Sequence, residues 1–381
     1  MPKVALIRCE SYQYEDVRRA VVRGLGLIGG AEKFVKQGQR LLLKPNLLIG
    51  EAPEKCVTTH PSVFRAVAEI IKETGAAVSY GDSPAIGSTS SAARKCGIRT
   101  VAEDLGIPEA DFKTPVDVFF EKGVQNKKFI LAKAVLGNDV IVSLPKLKTH
   151  AFEKFTGCVK NQFGFVPGVR KGEYHIKLPN PLQFAQMLVD LNNYVKPALY
   201  VMDGIWAMEG NGPRGGTPRK MNLLLFSSDP IALDATVCRI IDVDPEHVPT
   251  ITMGHKSGSG TYMEKEIELV GDNLDGFRLP DFDIKRSPLA PYSGKGFMRF
   301  LSNRFVPRPV IDAEKCVVCG MCVTICPTDP KSVDWIRGDQ QRPPTYNYKT
   351  CIRCYCCQEI CPESAIKIRY PLVRRTFGRS R

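Results

Sequence analysis

The sequence predicts an α/β domain built on a largely parallel sheet, followed by a smaller α+β domain organised around cysteines. Three observations carry this. At 381 residues the chain exceeds the usual size of one domain. Over residues 1–280 short apolar runs alternate with amphipathic segments, the pattern of strands and helices in an open parallel sheet. Beyond residue 310 that alternation stops, and nine of the 14 cysteines fall between Cys316 and Cys361.

Each element of the first domain has a local reason. Aliphatic runs at 4–7, 40–43, 77–80, 140–144, 198–202 and 223–226 are short, bounded by polar or glycine residues, and read as strands. Segments 15–27, 61–73, 90–105, 181–194 and 230–241 carry apolar residues at helical spacing. Two helix starts are well signalled: Thr59 with Pro61, and Asp229 with Pro230, pair a capping side chain with proline in the first turn. Residues 281–310 are rich in proline and glycine and form a basic linker. Within it Phe297, Leu301 and Phe305 stand at helical spacing. The cysteine-rich domain then covers 311–370, and 371–381 is a basic tail. Net charge is +13, and from residue 366 onward there are six basic and no acidic residues. A solvated tail accounts for this, because few aromatics interleave with the charges and no nucleic-acid-binding fold precedes them, so no specific nucleic-acid partner is expected.

The cysteines repeat one spacing twice: Cys316-x-x-Cys319-x-x-Cys322-x-x-x-Cys326-Pro327, and Cys351-x-x-Cys354-x-x-Cys357-x-x-x-Cys361-Pro362. This spacing suits two 4Fe-4S clusters, in which three cysteines of one loop hold one cluster and the fourth reaches the other. The expected sets are Cys316, Cys319, Cys322 and Cys361 for one, and Cys351, Cys354, Cys357 and Cys326 for the other. Zinc needs only four ligands in two pairs, and a disulfide framework has no reason to repeat the pattern with both prolines. Over about residues 311–370 the chain resembles the bacterial-type two-cluster ferredoxins, with a longer insert between the halves. Cys356 is extra, and a buried, unligated thiol is expected there. The remaining cysteines are scattered, as in a reducing compartment. No run approaches the 18 apolar residues that a spanning helix needs, so a cytoplasmic protein without a transmembrane segment is expected.

Polar phrases follow the predicted strands: Lys44-Pro45-Asn46, Gly81-Asp82-Ser83-Pro84, Lys146-Leu147-Lys148-Thr149-His150 and Asp203-Gly204. In an open parallel sheet such carboxyl ends face one crevice. Turn chemistry explains Ser83 and Asp229. It does not ask for three cations near one strand end. Lys148, His150 and Lys160 are therefore candidate catalytic residues, and Lys44, Asn46, Asp82, Lys146, Asn161, Asp203 and Glu209 candidate ligand-binding residues, with a small anion as the ligand. The loop at 210–215 matches G-x-G-x-x-G, but Pro213 lies inside it and no helix follows, so it is not a dinucleotide fingerprint. It is expected to wrap the anion with backbone N–H groups. His175, His247 and His255 read as ordinary surface or loop residues.

Lys-Pro-Asn-Leu-Leu at 44–48, Thr-Thr-His-Pro at 58–61, Gly-Asp-Ser-Pro at 81–84, Leu-Pro-Lys-Leu-Lys-Thr-His at 144–150, Lys-Asn at 160–161 and Asp-Gly-Ile-Trp-Ala-Met-Glu-Gly-Asn-Gly-Pro at 203–213 resemble the motifs of the domain-of-unknown-function family 362. Members of that family often carry a C-terminal ferredoxin module; the resemblance implies no substrate or reaction. A fainter likeness, to the amino-terminal domain of nickel-pincer lactate racemases, rests on His150, Gly157 and Lys160, and too few histidines are present to assign nickel. The function expected is that of an iron-sulfur electron-transfer protein, a ferredoxin-fused oxidoreductase component that passes single electrons to a ligand or partner at the α/β domain. A redox partner protein is implied, because no flavin or nicotinamide motif is present. The alternative is a redox-sensing or maturation module that binds a small anionic metabolite without converting it.

Overall fold

The computed structural model describes residues 1–168, 170–288 and 306–371. Most of the linker, with the helical spacing of Phe297, Leu301 and Phe305, and the tail from 372 onward lie outside the described residues.

The strands of the first domain are β1 (Lys3–Arg8), β2 (Arg40–Pro45), β3 (Ala77–Tyr80), β4 (Pro115–Phe119), β5 (Lys128–Ala132), β6 (Val140–Leu144), β7 (Lys146–His150), β8 (Lys154–Thr156), β9 (Leu199–Glu209), β10 (Thr217–Ser227) and β11 (Glu268–Gly271). The main sheet runs β11-β1-β10-β9-β6-β2-β3, with β7 added beside β9 and β8 beside β7. From β3 through β2 and β6 to β9 every pairing is parallel, whereas β10 is antiparallel to both β9 and β1. Both faces are covered. Leu41 and Leu43 point into one core with Phe64 and Phe226, while Leu42 between them points into the other with Phe129 and Phe184. That two-sided burial is why β2 reads as a continuous aliphatic run.

Three elements differ from the sequence expectation. Lys146–His150 is a strand and not a loop; Lys148 and His150 pair with Thr156 and Lys154 of β8, and Lys146 pairs with Asp203 of β9. The helix expected at 90–105 is broken at Gly97, whose φ of 78° ends Thr89–Lys95 and precedes Ile98–Asp104. The helix Pro61–Glu73 is capped by His60, whose Nδ1 accepts the Ser62 N–H at 3.1 Å. Thr59 is not the cap: its hydroxyl donates to Leu144 O and accepts the Asn46 N–H, tying β6 to the end of β2. Asp229 does cap its helix, accepting the N–H groups of Ile231 and Ala232.

In the C-terminal domain β12 (Arg308–Ile311) pairs antiparallel with β15 (Ile366–Arg369), and β13 (Val333–Asp334) with β14 (Thr345–Tyr346). Each cysteine loop leads into a short helix, Met321–Ile325 or Cys356–Ile360. The two halves repeat in backbone conformation: Val318 and Gly320 in the first loop, and Arg353 and Tyr355 in the second, all take positive φ.

Among the described residues only the second half is keyed into the α/β domain by its helix. Tyr355 joins the larger core and donates its hydroxyl to Pro307 O. Gln358 donates to the backbone carbonyls of Asn211 and Gly212, Asn211 donates to Ile366 O, and Arg214 bridges Glu51 and Ile360 O. The glycine-rich loop therefore docks the cysteine domain. Of its backbone N–H groups, that of Gly210 goes to Asp283 O and that of Gly212 to Thr149 Oγ1, so these two are not free to wrap an anion.

Candidate functional site between the crevice and the cysteine domain

The fold gathers the cysteines around two cavities. Cys316, Cys319, Cys322 and Cys361 line one, with Ile311, Met321 and Ile366. Cys326, Cys351, Cys354 and Cys357 line the other, with Pro309, Val333 and Ile352. All the cysteines are free of disulfides. Hydrogen bonds already point at the sulfurs: Ala365 N–H to Cys361 Sγ at 3.3 Å, and Tyr346 O–H to Cys357 Sγ at 3.2 Å. Four thiols in an apolar shell with N–H and O–H donors to sulfur are the donor set that an iron-sulfur cluster requires.

A third cavity, of about 390 Å³, lies between the carboxyl ends of the strands and the cysteine domain. From the α/β side come Asn46, Asp82, Lys148, His150, Lys160 and Asn161. The cysteine domain contributes Thr324, Cys326, Pro327, Cys356 and Glu359. The helix Arg170–Lys177 closes one side, and Gly172 allows it in: a Cβ there would lie 3.3 Å from Pro327 Cβ.

The cations differ in how they are held. Lys44 is fully buried behind the cavity, 2.9 Å from Asp82, and donates to Asn161 O at 2.5 Å. Gly164 makes room for this pair, since a Cβ there would fall 1.7 Å from Asp82 Oδ1. Lys146 is equally committed. It donates to Asp203 at 2.9 Å and to Tyr12 Oη at 2.8 Å, while Tyr12 and the His60 N–H also bond Asp203. Tyr12 stacks on His60 with centroids 3.5 Å apart, and burial holds the His60 imidazole down at about 4. That network lies outside the cavity wall, so Lys146 and Asp203 are not brought to the ligand side. Glu209 is farther still, paired with Arg219 and accepting the Asp283 N–H.

Among the described residues no carboxylate pairs with Lys148. Its ammonium donates to Asn46 Oδ1 at 2.7 Å and to Val57 O at 2.5 Å, and burial, reinforced by Lys160, lowers its pKa to about 7. His150 accepts at Nδ1 from the N–H groups of Phe152 and Glu153, so its proton sits on Nε2, 3.0 Å from Glu359 Oε1. The angle of that last contact falls short of a hydrogen bond, so the ring sets only its N–H edge beside the carboxylate. Burial favours the neutral ring, and two N–H groups aimed at Nδ1 leave no room for a second proton, so His150 is neutral.

Several residues at this site carried no signal in the sequence. Lys171 points inward from the helix Arg170–Lys177, donating to Ser83 O and Val166 O, and burial lowers it to about 7. His175, expected on the surface, is buried against Phe184 with centroids 4.4 Å apart, lines the cavity, and is pushed down to about 3 by burial. The spacing of Lys171 and His175, i and i+4, was the available clue that they share a helix face. Cys356, expected buried, is half-buried, with its side of the helix bordering the cavity. Glu153 is buried beside His150 with no hydrogen-bond partner on either oxygen among the described residues, and burial raises its pKa well above the carboxylate range.

Residues 41–239 match the family model described as a domain of unknown function, DUF362, and residues 308–362 match a 4Fe-4S dicluster domain. A thylakoid-associated protein of Synechocystis sp. is 38% identical over 317 residues, covering 81% of this chain and 97% of its own length. Among solved structures, the lactate racemase apoprotein from Thermoanaerobacterium thermosaccharolyticum aligns with TM-score 0.41 and 11% identity, over 63% of this chain and 56% of the racemase. A Thermotoga maritima protein gives TM-score 0.37 and 11% identity, over 59% of this chain and 57% of its own. At those scores neither structure bears on the chemistry. No helix among the described residues is long and apolar enough to cross a membrane. The chain belongs to the domain-of-unknown-function family 362, with a 4Fe-4S dicluster domain at its C-terminal end.

Proposed function

We propose that the protein holds two 4Fe-4S clusters and serves as an oxidoreductase component that delivers single electrons to a small ligand in the cavity between its domains. Cys316, Cys319, Cys322 and Cys361 would hold one cluster, and Cys326, Cys351, Cys354 and Cys357 the other. Bound there, the clusters supply one-electron transfer. One observation carries the reading: Cys326, a residue of the second cysteine set, lines the same cavity as Lys148, His150 and Lys160. The first set lies nearer the surface, with Cys319 exposed, which suits electron exchange with an external redox protein. We assign the division into 1–280, a basic linker at 281–310, a cluster domain at 311–370 and a basic tail at 371–381. We place the protein in the cytoplasm, in keeping with its scattered thiols. The relative's name places that protein at thylakoids, and a membrane-bound redox partner is compatible with both.

The test uses anaerobically prepared full-length protein, chemically reduced and offered fractions of a small-metabolite pool while its visible absorbance is followed. A fraction that reoxidises the wild type identifies the acceptor. Lys148→Ala should keep its iron and visible spectrum yet lose that reoxidation. If Lys148→Ala and His150→Ala are both reoxidised at the wild-type rate, the cavity is not the delivery point.

A further inference from the structure

We infer that the cavity recognises an oxyanion, a carboxylate or phosphate carried by the small ligand, through Lys148, Lys160, Lys171 and His175, leaving the ligand's other end against Pro327 and Cys356. This rests on the preceding reading only in taking the cavity as a ligand site. Charge makes the argument. Among the described residues neither Lys148, Lys160 nor Lys171 has a carboxylate within 4 Å. Lys148 is held by an amide and a carbonyl, Lys171 by two carbonyls, and Lys160 lies over the Phe163 ring at 5.0 Å. Of the carboxylates nearby, Asp82 is paired with Lys44 and Glu173 with Arg170 and Lys177, burial pushes Glu153 towards its neutral form, and Glu359, beside the neutral His150, is one negative charge against three ammonium groups.

Buried ammonium groups without counter-charge are costly, and bringing several together multiplies the cost unless an anion arrives. The depressed lysine pKa values described above express that cost. The second observation is independent of charge. His175 is only 3% exposed, lines the cavity, and has an Nδ1 with no hydrogen-bond partner among the described residues. A buried ring nitrogen left open in a cavity wall is a vacant place for a ligand donor or acceptor. The cysteine domain adds Ile325, Pro327 and Cys356, which offer apolar contact, beside the charged Lys331 and Glu359. The cavity volume of about 390 Å³ suits a small metabolite.

Full-length protein with its clusters, kept anaerobic, is titrated with inorganic phosphate and separately with malonate, each against chloride at matched ionic strength, and its melting temperature is read. At a hundredfold excess over its Kd, either probe should raise the melting temperature by about 5 °C in a saturable way. Saturation by phosphate alone or malonate alone tells which oxyanion the ligand carries. Lys160→Met and Lys171→Met should each weaken probe binding at least about tenfold, whereas Lys177→Met, on the exposed side of the same helix, should leave it unchanged. Two variants guard against one failing to fold. No saturable shift with either probe overturns the inference. So does a Lys171→Met protein that binds normally and shows only a changed cluster potential, for then the lysines merely balance cluster charge. Oxyanion binding without metabolite-driven reoxidation would sink the electron-delivery reading and leave this one; reoxidation by a neutral acceptor with no oxyanion binding would do the reverse.

Discussion

Replacing Asp82 by asparagine leaves Lys44 with no counter-ion in a place that water does not reach. The ammonium lies 2.9 Å from Asp82 Oδ1, both side chains are buried, and the remaining partners of Lys44 are the carbonyl oxygens of Asn161. Breaking one side of a buried pair costs about 3–5 kcal/mol. The Leu47 N–H, which Asp82 accepts at 2.8 Å, can still be met by the amide oxygen, so the loss is mainly one of charge. A kilocalorie shifts the melting temperature by roughly 2–4 °C in domains of this scale, which puts the deficit at about 6–20 °C. It should depend on pH with a definite sign. Burial already lowers the Lys44 pKa, and removal of the carboxylate lowers it further. The unfolded chain then holds the proton that the folded variant sheds, so stability rises with pH and the deficit narrows from pH 6 towards 9. Far-UV circular dichroism melts of anaerobic full-length protein would measure this. The double variant Lys44→Met with Asp82→Asn should recover most of the loss. If Asp82→Asn melts within two degrees of wild type, or the double variant loses the sum of both single changes, the pair does not hold the crevice together.

Two further outcomes follow from the same geometry. Cys326→Ser should lower the iron content from about eight to about four per chain and remove one of two paramagnetic signals after reduction; full retention of both signals would mean that Cys326 is no ligand. His60 and His175 are held neutral in the fold, at about 4 and about 3. Since the unfolded histidines take up protons near pH 6.5, stability should fall as pH drops from about 6.5 towards 4. His175→Phe should flatten part of that slope in acid melts, and an unchanged slope would show that His175 is protonated in the native state.

The sheet was legible because its strands obey simple burial rules. Leu41, Leu42 and Leu43 are apolar on both faces and announce a central strand. β7 was not legible for the opposite reason: Lys146, Lys148 and His150 look like loop residues, and only tertiary partners make them buried strand positions. The cations were identifiable as a group, but their division was not. Nothing in the sequence says that Lys146 is closed off by Asp203 and Tyr12 while Lys148 is left with neutral partners. Likewise the loop around Gly212 carries the composition of an anion cradle, yet Gly212 is there because a Cβ would collide with Thr149 O at 2.4 Å. Lys171 and Glu359 were invisible because each becomes part of the site only when two remote segments close on one another.

The departure from symmetry within the cysteine domain has a consequence for how such modules are exchanged. Where the first half has Gly320, Val323 and Thr324, the second has Tyr355, Gln358 and Glu359, and each of these three reaches into the α/β domain. An internally repeated unit with equal halves would fit its host either way round. Here the three substitutions act as a key cut on one edge, so only one end of the repeat can enter the lock. A dicluster domain with equal halves, though it folds and binds iron, would lack that edge and would not seat against His150.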